Sequence, residues 1–133
     1  MRLAFLPFLL LASCCRPGIG TQPLTPLDGQ KVTRITVRGF ARDKVSKVTL
    51  TNLADLRFVV THLQDLESRC YFYSSPDFDL ILETSTGNRL KVRVGSKEIG
   101  PDARASAWNR HWFPKDDALY QFLMAKAYPG SSQ

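Results

Sequence analysis

Three cysteines, two histidines and a few carboxylates are the groups of this 133-residue chain that could do chemistry. Their spacing limits what that chemistry can be. Cys14 and Cys15 are adjacent and Cys70 is remote, while His62 and His111 sit apart, with no C-x-x-C or H-x-x-x-H pairing. A zinc site would need nearly all of them to converge from distant segments, so no metal is predicted. Ser74 and Ser75 precede Pro76-Asp77 in a turn-like stretch, and no G-x-S-x-G elbow occurs. Cys70 with a histidine would make a nucleophile–base pair. It opens an aromatic strand, "CYFYS", where a buried inert thiol is the ordinary role. Asp77 and Asp79 flank Phe78, which on a strand sets them on one side about 7 Å apart, a spacing glycosidases use. A flat sheet edge and an arginine, Arg93, opposite Asp79 favour a structural role. Asp116 and Asp117 suit the start of a helix, where negative charge meets the helix dipole. The sequence therefore predicts no catalytic residue, no cofactor and no enzyme.

The elements around these residues follow from periodicity. "VTRITVRGF" alternates, with Ile35 and Val37 on one side and Arg34, Thr36 and Arg38 on the other. "KVTLTN" repeats the pattern with Val48 and Leu50 inward and Lys47 and Thr49 outward. Asn52 suits a helix N-cap, and Leu53, Leu56, Val59, Val60, Leu63 and Leu66 keep helical spacing to about Glu67. "FDLILET" and "NRLKVRV" are separated by Ser85-Thr86-Gly87, a three-residue loop with glycine last. Pairing Thr84 with Asn88 then brings Leu82 to Leu90 and Leu80 to Val92 on the core face. Glu83 meets Arg89 and Asp79 meets Arg93 on the other face. A second helix is predicted from about Lys115 to Ala127, with Pro114 at its start and Pro129-Gly130 beyond it. The expected fold is α+β: a small antiparallel sheet of about five strands in ββαβββα order, packed against two helices.

Two surfaces could bind. Arg34, Arg38, Lys47, Arg89, Lys91 and Arg93 all point away from the core by this parity. Arg89 and Arg93 have carboxylates opposite, which leaves Arg34, Arg38, Lys47 and Lys91 as a candidate anion-binding set beside the plainer role of a solvated face. In "AWNRHWFPKDDALYQF", Trp108, Arg110, Trp112 and Phe113 are of the types that dominate binding hot spots, and equally of those that close a small core.

Met1-Arg2 supplies one positive charge ahead of an uncharged run, Leu3 to Ala12. As a helix that run reaches about 15 Å, half a bilayer's hydrocarbon core, which is the pattern of a signal peptide rather than a spanning helix. Its end, Leu11-Ala12-Ser13-Cys14, resembles the lipobox of bacterial lipoproteins. The resemblance implies cleavage before Cys14, acyl chains on that cysteine and a stable tether to the envelope membrane. Expected segments are a signal peptide over 1–13, a lipidated N-terminus and flexible tether over 14–30, one domain over 31–128 and a tail over 129–133. The alternative is a secreted protein cut nearby, and in either setting Cys15 and Cys70 could pair. The formal charge of +6 falls to +5 once Arg2 is removed, a surplus that favours anionic partners as well as solubility. Nucleic acid fits poorly, since the signal directs the chain outward and no R/K-G-F-G-F strand occurs. The expected role is a noncatalytic envelope lipoprotein, facing the periplasm or cell exterior, that binds another envelope protein as an accessory or inhibitor. The alternative is a binder of anionic cell-wall polymer or lipid head groups through the basic sheet face. Mass spectrometry of the N-terminal peptide from the membrane fraction is expected to show a diacylated or triacylated Cys14, lost in Cys14→Ala. An unmodified N-terminus that begins later would mark a free secreted protein.

Overall fold

Alternating side chains build a sheet with one apolar face, and two helices cover that face. The structure, a computed structural model, describes residues 23–27, 29–69, 76–101 and 111–130. In chain order the elements are β1 (Val32–Gly39), β2 (Ser46–Leu50), α1 (Leu53–Gln64), β3 (Leu66–Arg69), β4 (Phe78–Thr84), β5 (Arg89–Val94), β6 (Ile99–Pro101), β7 (His111–Pro114) and α2 (Ala118–Ala127). The seven strands form one antiparallel sheet in the order β2-β1-β4-β5-β6-β7-β3. The fold is α+β.

β1 pairs with β2 and with β4, so Ile35 lies between Leu50 and Leu82, and Val37 between Val48 and Leu80. β4 and β5 keep the parity their sequences prescribe, with Leu82 against Leu90 and Leu80 against Val92. Their turn closes through Thr84 N–H to Asn88 O and Gly87 N–H to Thr84 O, both 3.0 Å. Gly87 takes φ of 87°, a left-handed conformation that glycine adopts without a Cβ clash. Ile35, Val37, Leu80 and Leu82 are fully buried, each contributing roughly 1.5–3 kcal/mol of apolar burial. Leu56, Val59 and Leu63 of α1 and Leu119, Leu123 and Ala127 of α2 join the same cluster. α1 starts where the Asn52 side chain accepts the Ala54 N–H at 2.8 Å. The helices meet through Phe58 stacked on Phe122, centroids 4.5 Å apart, and through a 3.0 Å ion pair of Lys126 with Asp55.

Several boundaries differ from the sequence expectation. The sheet has seven strands rather than five, because β6 and β7 carry it past β5 and β3 closes the far edge. Leu66 keeps helical spacing with Leu63, yet α1 ends at Gln64 and Leu66 opens β3, buried against Pro114 of β7. Pro114 ends β7 instead of starting a helix. α2 begins only at Ala118, where Asp116 Oδ1 accepts the Ala118 N–H at 3.0 Å. The folded body also begins before residue 31. Leu27 is a core residue, and the Gln30 side-chain oxygen accepts from Thr84 Oγ1 (3.0 Å), Thr86 Oγ1 (2.8 Å) and Asn88 Nδ2 (2.7 Å). The predicted "CYFYS" strand lies outside the described residues.

One contact fixes the corner between the hairpin and α2. Tyr128 packs against Gly39 and donates its hydroxyl to the Lys44 carbonyl at 2.6 Å. A Cβ on Gly39 would lie 2.8 Å from Tyr128 Oη and 3.0 Å from its Cε2. Gly39→Ala is therefore expected to destabilise by about 1–3 kcal/mol through overpacking. In a Tyr128→Phe background, which lacks the nearest atom, the same change should cost less. Urea denaturation of the four proteins of this double-mutant cycle measures the coupling, and additive costs would refute the contact.

Candidate functional site

The face of β1, β2, β4 and β5 turned away from the helices carries Arg34, Arg38, Lys47, Arg89, Lys91 and Arg93, against Asp79 and Glu83. Six cations against two carboxylates leave an excess of four positive charges. Strand pairing puts the charges in two groups. At one end Glu83 bonds Arg34 across β1–β4 and lies 3.1 Å from Arg89. The hydrogen bond from Arg34 holds the Glu83 carboxyl below the usual carboxylate range, and the charges of Arg34 and Arg89 add to this against the opposing effect of burial. Further along, Asp79 is only 5% exposed, with Lys91 Nζ 3.5 Å from Oδ2 and Arg93 Nε 3.6 Å from Oδ1. Asp79 Oδ1 makes no hydrogen bond among the described residues.

The candidate anion-binding set thus divides. Arg34 and Lys91 have carboxylate partners, contrary to the sequence expectation, because β4 lies beside β1 and because Lys91 reaches Asp79 diagonally. Arg38 and Lys47 are direct cross-strand neighbours, both exposed, and neither forms an ion pair with a described residue. The Arg38 guanidinium lies over the Phe40 ring, 5.5 Å from its centroid. Two like charges face one another across the β1–β2 pair, and on its other side Arg38 lies opposite the buried carboxylate Asp79 of β4.

Of the aromatic candidates, Trp112 and Phe113 are among the described residues. Trp112 is 5% exposed and belongs to the core, opposite Ile99 on β6. Phe113, the next residue along β7, is half-buried opposite Glu67 of β3. Trp108, Arg110 and Cys14 lie outside the described residues.

A cleft of about 570 Å³ that the sequence does not announce lies between the β1–β2 connection, the start of β4 and α2. Arg42, Asp77, Tyr120, Met124 and Tyr128 line it. Asp77 accepts the Tyr120 hydroxyl at 2.8 Å, whereas Asp79 pairs with cations on the opposite face, so the two carboxylates do not converge. Their side chains part because Asp77 is in a bend ahead of β4 and not yet in the strand. Elsewhere, the half-buried His62 hydrogen-bonds through Nδ1 to the Phe58 carbonyl at 2.8 Å and stacks on the Phe58 ring. Among the described residues no three His, Cys, Asp or Glu side chains gather as metal ligands would.

Comparison with protein-family models, with curated proteins and with solved structures finds no match to this chain.

The Asp77–Tyr120 bond has a signature at high pH. Burial, then the hydrogen bond to Asp77, push the Tyr120 phenol up to about 12, against an ordinary value near 10. A phenol with a raised native pKa contributes stability that is complete below pH 10 and is lost as pH rises through 12. Tyr120→Phe is expected to cost about 1 kcal/mol at neutral pH and to flatten the fall between pH 10 and 12. Denaturation midpoints across that range check both.

Proposed function

We propose that this protein is a noncatalytic, lipid-tethered module of the bacterial envelope that binds anionic groups on the outer face of its sheet. The carrying observation is the Arg38–Lys47 pair, two exposed cations side by side on a face whose charge excess is four. The lipobox-like Leu11-Ala12-Ser13-Cys14 supports the tether and the envelope setting. Capture of an envelope protein through Trp108, Arg110, Trp112 and Phe113 is the second reading. It keeps less support, since the Trp112 ring would have to leave the core to take part.

A face of this kind attracts polyanions by screened Coulomb forces and discriminates little among them. Inorganic polyphosphate is a suitable soluble probe. Its affinity is expected to fall by about tenfold between low and physiological salt. The double replacement Arg38→Glu and Lys47→Glu should remove most of the binding while the protein still unfolds in one cooperative transition, at some cost in stability because position 38 lies opposite the buried Asp79 carboxylate. Arg57→Glu with Lys97→Glu, two exposed changes away from that face, serves as the charge-matched control. Affinity indifferent to salt and to the double replacement would refute the reading.

A further inference from the structure

Among the described residues three large apolar side chains are conspicuously exposed: Phe40 at 41%, Val45 at 68% and Leu53 at 51%. Two of the three lie at one corner of the basic face. Phe40 follows the last residue of β1, with its ring under Arg38. Val45 immediately precedes β2 and shares the parity of Lys47 and Thr49, the outward residues of that strand. At this corner Arg38 and Lys47 are exposed at outward positions, whereas Arg42 lines the cleft beside α2. An apolar pair beside an excess of cations is what a protein presents to the boundary of an anionic bilayer. Short apolar side chains enter the head-group region, and basic side chains meet the lipid charge while their methylenes cover apolar surface.

We infer that the anionic partner of the sheet's outer face is the lipid surface of the membrane itself, with Phe40 and Val45 seated at the head-group boundary. The inference rests on the anion-binding reading above and names its partner. Leu24 and Leu27, near the start of the described chain, pack with the core. A domain lying on its outer face sets Arg34, Arg38, Lys47, Arg89, Lys91 and Arg93 toward the lipid at once.

The lipidated full chain, reconstituted into phosphatidylcholine vesicles with or without phosphatidylglycerol, tests this by amide hydrogen exchange. Exchange in peptides spanning residues 38–49 is expected to slow severalfold on the anionic vesicles alone, while peptides of α2 stay unchanged. The protection should vanish in Phe40→Ser with Val45→Ser, exposed positions whose loss spares the core, and separately in Arg38→Glu with Lys47→Glu. Equal exchange on both vesicles, with polyphosphate binding intact, would overturn the membrane inference and leave the anion-binding reading standing. Equal exchange together with loss of polyphosphate binding would overturn both. Protection that appears only after envelope proteins are added would assign the corner to a protein and overturn the inference.

Discussion

β1 is held on both sides, and the parity of its residues decides what each face of the sheet carries. Ile35 and Val37 are fully buried because Leu50 and Val48 flank them in β2 and Leu82 and Leu80 in β4. The same pairing forces Arg34 and Arg38 outward. A slip of one residue would turn those guanidinium groups into the core, at several kcal/mol for each buried ion. Total stabilities of about 5–15 kcal/mol do not survive such a change. The apolar core and the basic face are therefore one constraint seen from its two sides, and the helices can only pack where β1 presents Ile35 and Val37.

The parts of this arrangement legible in the sequence are those set by neighbours along the chain. The β4–β5 hairpin could be read in full, down to Leu80 opposite Val92, since a three-residue loop with glycine at its end admits one parity. The Asn52 cap and the inward side of β1 and β2 were equally local. What escaped depends on remote partners. β6 and β7 are three and four residues long, too short to show alternation. Leu66 sits at helical spacing from Leu63, and only its pairing with Pro114 makes it a strand residue. The partners of Arg34 and Lys91 were missed for a related reason. Arg34 meets Glu83 only because β4 lies beside β1, an order no local pattern contains. Lys91 and Asp79 face each other diagonally, beyond the direct pairs that parity supplies.

The polar residues show the same contrast. Asp77 and Asp79 are two positions apart and end on opposite sides of the sheet, one under the Tyr120 hydroxyl and the other under Lys91 and Arg93. The bend before Phe78 separates them, and a motif search that treated both as strand residues would have joined them. Arg38 and Lys47 lie nine positions apart in sequence and are neighbours in the sheet because a short connection folds β2 back along β1. Positive charge is spread along the chain, and the fold gathers it on one surface by putting the cations of β1, β2 and β5 at outward positions.

The order of the strands also governs the order of events as the chain is made. β1 and β2 emerge together and can form their hairpin at once, and α1, next along the chain, supplies Leu56, Val59 and Leu63 to its apolar side, but the second edge of β1 stays open. The partner that completes it, Leu82 beside Ile35, lies 47 positions further on. Closing a loop of that size carries an entropic cost that only later contacts repay, so folding is expected to wait until β4 and β5 have left the ribosome. Until then β1 keeps a free edge that another strand can pair with.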